Sequence, residues 1–136
     1  MCKWDYIIEK LCHDRFFGIL TRNGLEYKMD DIEDDDCHII LMDFCDISLL
    51  NGKYGYSQVN QKFTELFADF KDDHIIGRCF SGDEIVVITR DISVIDDLKK
   101  KSRQLGLDFR HITCKYTNLE SDLEHLTSQL DLPDGK

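Results

Sequence analysis

The segment His38-Ile39-Ile40-Leu41-Met42 constrains this chain more than any other. An apolar run without alternation marks a strand buried on both sides, so the fold needs a sheet with cover on each face. The run ends in Asp43, which puts a carboxylate at the C-terminal end of a central strand.

The remaining elements are arranged around that strand. Apolar positions at helical spacing predict helices over residues 4–12 and 23–29, and the acidic block 30–36 reads as a solvated loop, lacking the glycine and terminal glutamate of an EF-hand. Val59, Phe63, Leu66, Phe67 and Phe70 share one face of a helix over 56–70, where packing into the core is the expected role of the aromatics, Tyr54 and Tyr56 included. Residues 75–80 form a second strand, Ser81-Gly82-Asp83-Glu84 a tight turn, and Ile85-Val86-Val87-Ile88-Thr89 a third strand, together a β-hairpin with two carboxylates at its tip. Ser93 reads as the N-cap of a helix running to Gln104 and ended by Gly106, and 108–116 as a fourth strand. Leu119, Leu123, Leu126 and Leu130 predict a closing amphipathic helix before a short tail, 133–136.

The order is βαββαβ, an α+β arrangement of the ferredoxin-like type: a central antiparallel sheet whose helices lie on one face. With 136 residues the chain fits a single domain, able to bury roughly two-thirds of its unfolded surface. A net charge of -10 argues against DNA, RNA or an anionic membrane as partner, since each repels an acidic surface. No apolar run approaches the roughly 20 residues of a membrane span, and the polar N-terminus is unlike a signal peptide, so a cytoplasmic location is expected. Six cysteines and five histidines are scattered without zinc-ligand spacing, which predicts free and mostly buried thiols.

In the βαββαβ topology the first and third strands are central neighbours, which brings Asp43 beside Asp83 and Glu84. Carboxylates gathered at one edge of a sheet repel each other, and divalent cations such as Mg2+ or Mn2+ neutralise them. Two such ions about 4 Å apart suit nucleotide phosphates and phosphoryl or nucleotidyl transfer.

Three stretches then carry a family resemblance. Arg78-Cys79-Phe80-Ser81-Gly82-Asp83-Glu84-Ile85-Val86-Val87-Ile88 resembles the signature hairpin of GGDEF domains, the diguanylate cyclases. Ile40-Leu41-Met42-Asp43-Phe44-Cys45-Asp46-Ile47, continuing through Leu50-Asn51-Gly52-Lys53-Tyr54-Gly55-Tyr56 to Asn60, is similar to the family's DxDxFKxxNDxxGHxxGD stretch. Asp14-Arg15-Phe16-Phe17-Gly18-Ile19-Leu20-Thr21-Arg22 is similar to its opening DxLTGLxNR. The resemblance implies a GGDEF-type palm in which Asp43, the carbonyl of Phe44, Asp83 and Glu84 bind two metal ions and the acidic pair helps deprotonate an attacking 3′-hydroxyl. It implies that backbone amides of Phe44, Cys45, Asp46, Ile47 and Ser48 hold a triphosphate, and that Asn51 and Asn60 stand at the base-contacting positions.

The departures from the family pattern matter too. Cys45 replaces an aspartate that is not expected to be a metal ligand, and Ser48 stands where the family has a phosphate-binding lysine; Lys136 is the one counterpart to its C-terminal basic grip. Asn60 replaces an aspartate that accepts hydrogen bonds from guanine, and an amide that also donates makes adenine admissible. Asp72-Asp73-His74-Ile75 occupies the place of the inhibitory RxxD motif without its arginine, so product inhibition through that surface is not expected. A short palm with altered guanine contacts also resembles the minimal CRISPR polymerases, anti-phage proteins that are implied to make cyclic oligonucleotides, commonly from ATP. The function these resemblances imply is synthesis of a cyclic dinucleotide or short cyclic oligonucleotide from ATP or GTP, by a homodimer that pairs two palms. The alternative is a degenerate palm that binds a nucleotide or a protein partner without turnover.

Overall fold

The structure, a computed structural model, describes residues 12, 14, 17–30, 36–78 and 84–130. The expected helix over 4–12 falls outside these residues apart from Cys12, as do most of the acidic block, the hairpin tip with Asp83, and the tail with Lys136. In chain order the elements are α1 (Arg22–Asp30), β1 (His38–Phe44), α2 (Ile47–Tyr54), α3 (Tyr56–Ala68), β2 (Ile75–Arg78), β3 (Glu84–Thr89), α4 (Val94–Gln104), β4 (Phe109–Lys115) and α5 (Leu119–Leu130). The four strands form one antiparallel sheet in the order β2-β3-β1-β4, so the apolar run is central as expected.

Alternation along β1 divides the core in two. Ile40, Met42 and Phe44 face α3 and α4, packing on Val59, Phe63, Leu66, Phe67, Val94 and Leu98. Ile39 and Leu41 face the opposite way, onto Leu25 and Met29 of α1 and Leu119, Leu123, Leu126 and Leu130 of α5. Helices therefore cover both faces, which corrects the one-faced arrangement. Each fully buried apolar side chain contributes about 1.5–3 kcal/mol, and a strand apolar on both sides gains that stabilisation only between two layers.

Local chemistry explains the element ends. The Phe63 ring stacks on Phe17 with centroids 4.6 Å apart and takes the edge of Phe44 at 4.8 Å, so the aromatic stripe of α3 is core. Tyr54 and Tyr56 are instead exposed, because the break at Gly55 turns that end of α2 and α3 outward. Ser93 does not cap α4 with its side chain; Asp91 Oδ1 accepts hydrogen bonds from Ser93 N and Oγ at 3.1 and 2.6 Å, and the helix is entered through a tight turn. Gly106 ends α4 as expected, with a φ of 76° that favours glycine. Gly77 of β2 has a different reason: a Cβ there would lie 2.4 Å from the Leu25 side chain, so its bareness lets α1 sit against the sheet. Outside β2, Leu20 N donates to the Ile76 carbonyl and Arg78 N to the Leu20 carbonyl, a parallel bridge.

Among the described residues Cys12, Cys37, Cys45 and Cys114 are free thiols, the first two buried and the others half-buried. No helix of the described residues is long and apolar enough to cross a membrane.

Candidate functional site at the end of the central strands

β1 runs two residues beyond the apolar segment, so Asp43 lies within the ladder instead of after it. Its partner on one side is Glu84, the first residue of β3, and on the other Arg110 of β4. Glu84 is thus a strand residue and not part of the turn. Asp43 shares a face with Ile39 and Leu41, Glu84 with Val86 and Ile88, and Arg110 with Ile112 and Cys114, so the three side chains leave the same face of the sheet as a row.

Directly opposed residues of an antiparallel pair have Cβ atoms about 5 Å apart, and like charges at that separation destabilise the pair. Arg110 offsets the repulsion from the other flank: its Nη2 donates to Asp43 Oδ2 at 2.8 Å. Both side chains keep contact with water, at 41% exposure for Arg110 and 28% for Asp43.

After Phe44 the chain turns sharply. Cys45 N donates to the Asp108 carbonyl at 2.9 Å, and Asp46 adopts a left-handed conformation with φ 59°, which a short polar side chain tolerates. α2 begins at Ile47, a helix that the low helix propensity of Ser48, Asn51 and Gly52 concealed. Residues 44–48 therefore comprise a strand end, a turn and a helix start, and first-turn amides such as those of Ile47 and Ser48 have no acceptor within their own helix. The Asp46 side chain does not cap them. Such a start favours an anionic group.

The Cys45 thiol is pushed above its ordinary range by burial first, then by the negative charges of Asp108 and Asp43, with Arg110 acting in the opposite sense. It is a neutral thiol at pH 7, unsuited to a hard cation. Asn51 on α2 has a buried side-chain oxygen that accepts no hydrogen bond from the described residues. Asn60, on α3, is half-buried and its backbone carbonyl accepts from Thr64 Oγ1.

The structure thus brings Asp43 and Glu84 together and sets the 44–48 turn directly after them, with Asn51 one helix on. Asp83 precedes Glu84 but lies outside the described residues, and among those described no cluster of three or more His, Cys, Asp or Glu side chains would hold a metal. The donor chemistry of the Asp43–Glu84 pair, two opposed carboxylates partly open to water, fits a hard divalent ion. Arg110 joins the site through its register with Asp43, and the sequence carries no local signal for it, since Phe109-Arg110-His111-Ile112 mixes apolar and polar residues as a half-exposed strand does.

The opening motif is built in around its own ion pair. Asp14 Oδ1 accepts from Phe17 N at 3.0 Å, while Arg78 Nη1 lies 3.3 Å from Asp14 Oδ2, its guanidinium stacked 4.4 Å from the Phe17 ring centre. This arrangement ties the segment before α1 to the strand that leads to the hairpin tip.

No family model and no curated protein matches the sequence. Solved structures do match it. The coiled coil and GGDEF domain of DgcB from Caulobacter crescentus, in complex with c-di-GMP, superposes with a TM-score of 0.73 at 12% identity, over 93% of this chain and 82% of that one. A diguanylate cyclase/phosphodiesterase from Caldicellulosiruptor saccharolyticus gives 0.62 at 16% identity, over 95% and 86%. The FimX GGDEF domain from Pseudomonas aeruginosa gives 0.65 at 12% identity, over 86% and 90%. Superpositions that cover 86 to 95% of this chain show that it has the fold of the GGDEF domains.

Proposed function

We propose that this chain is a metal-dependent nucleotidyltransferase that condenses nucleoside triphosphates into a cyclic dinucleotide or short cyclic oligonucleotide, releasing pyrophosphate. The observation that carries the reading is the opposition of Asp43 and Glu84 at the end of the two central strands. A repulsive pair costs stability, and a GGDEF-type fold has a use for it.

Asp43, the Phe44 carbonyl, Asp83 and Glu84 would hold two Mg2+ or Mn2+ ions. When bound, such ions offset the carboxylate repulsion and make a nearby hydroxyl more acidic. The chain's own residues do the rest. Amides of the 44–48 turn bind the triphosphate, Asn51 and Asn60 contact the base, and the acidic pair of Asp83 and Glu84 takes the proton of the 3′-hydroxyl. That oxygen bonds to the α-phosphorus of a second nucleotide as its bond to pyrophosphate breaks, and repetition closes the ring. One palm holds one nucleotide, so two chains meet face to face as a homodimer in the cytoplasm, each chain forming a single palm over residues 1–136. An adenine product would align the protein with the minimal CRISPR polymerases and anti-phage signalling, a guanine product with the diguanylate cyclases.

A second reading, a palm that binds a nucleotide or a protein partner without turnover, is favoured by one observation: Arg110 sits on Asp43. Mass spectrometry of products, after incubation with all four ribonucleoside triphosphates and Mg2+ or Mn2+, tests the two. A cyclic product that disappears in Asp43→Asn supports the enzyme. Nucleotide binding by calorimetry without any product supports the degenerate palm.

A further inference from the structure

Building on the nucleotidyltransferase reading, we propose that Arg110 is a positioning residue whose guanidinium competes with the divalent cation for Asp43, holding the carboxylate in place without the ion and yielding it when the ion binds.

The row Glu84-Asp43-Arg110 is fixed by register on three adjacent strands, so the arginine is built into the sheet and is not a passing surface contact. Its guanidinium stays charged at every physiological pH, and its Nη2 is 2.8 Å from Oδ2 of the carboxylate that would hold the metal. Without it, Asp43 would face Glu84 in a chain whose net charge is already -10. Partial exposure of both partners keeps the ion pair weak enough to exchange, because water screens it. A metal ion and the guanidinium place like charges at the same carboxylate, so removing the guanidinium favours the ion.

The test is a Mn2+ titration of the nucleotide-free protein, followed through the loss of the free-ion signal in electron paramagnetic resonance, with circular dichroism to check folding. Arg110→Gln is expected to bind Mn2+ about tenfold more tightly than wild type, the scale of removing one positive charge several Å from a divalent ion at a dielectric near that of water. Arg110→Lys, which restores the charge, is expected to return towards wild-type affinity. In case Arg110→Gln does not fold, nitrogen NMR of the wild-type arginine side chains gives a second readout: the Arg110 Nε resonance should shift as Mg2+ is added and saturate with the binding of the ion. Equal or weaker Mn2+ binding by Arg110→Gln, or an Arg110 resonance indifferent to Mg2+, overturns the proposal while leaving the enzyme reading intact. No metal binding by either protein overturns both.

Discussion

Glu84 faces Asp43 across the β1–β3 ladder, and the packing of β3 on both faces of the sheet holds that pairing. A slip of one residue would turn Val86 and Ile88 away from α1 and α5, so the carboxylates are held opposed by the apolar packing behind them. Because the pair is enforced by the core and not by mutual attraction, its charge can be changed without undoing the fold. Asp43→Asn should lower product formation at least about 100-fold, the range for a lost acid–base or charge-stabilising group. The same change should move unfolding stability by no more than about 1 kcal/mol, since a partly exposed ion pair is lost while a like-charge contact is relieved. Product yield and chemical denaturation together check this; a loss of yield that tracks a loss of folded protein would refute it.

Gly77 is where α1 meets the sheet. Gly77→Ala drives a methyl group into the Leu25 side chain, which lies fully buried, and should cost about 1–3 kcal/mol. In the double variant Gly77→Ala/Leu25→Ala the two costs should fall short of additive, because the alanine at 77 then fills space that Leu25 leaves. Urea denaturation of the four proteins in that cycle measures the coupling.

The start of α5 depends on one carboxylate. Asp122 is buried, and it accepts hydrogen bonds from Thr117 N at 2.7 Å, Thr117 Oγ1 at 2.8 Å and Asn118 N at 3.1 Å. Asp122→Ala leaves those donors unmatched and should cost about 1–3 kcal/mol. Amide hydrogen exchange should then accelerate across 117–123 before it does in β1.

His111 gives a pH signature. Burial holds its pKa below the ordinary 6.5, the charge of Lys99 adds to the effect, and Asp96 opposes it. Between that lowered folded value and 6.5 the unfolded chain binds the proton more readily, so this histidine's contribution to stability is present above 6.5 and is lost as pH falls through the folded pKa. The difference in unfolding free energy between wild type and His111→Gln should therefore decline as pH drops below about 6.5, and stay level from 7 to 8. A difference that grows on acidification would contradict it.

Much of the architecture was legible because it rests on local chemistry. The Ile39–Met42 run demanded a central strand, Gly106 an ending for α4, and the leucines of α5 an amphipathic helix; each is where the spacing put it. What was not legible depends on which strands become neighbours. The spacing of Leu119, Leu123, Leu126 and Leu130 says that a face is buried but not against which side of the sheet, so the cover that β1 demands on its second face is not assigned to α1 and α5 by the pattern alone. Arg110 became part of the candidate site only through its register with Asp43, which no local pattern encodes. Tyr54 and Tyr56 misled for a related reason: helical spacing continued across Gly55, while the backbone there has a φ of 86° and departs from the helix.

The bridge between Leu20 and Gly77 has a further effect. An outer strand of a sheet offers a row of open amides and carbonyls on which another molecule's strand can dock, the usual start of sheet-mediated aggregation. By bonding to both Ile76 and Arg78, Leu20 occupies the middle of that row on β2, the shortest strand of the four. A single residue in extended contact thus acts as a plug, closing this border of the sheet to strand addition from a neighbouring copy.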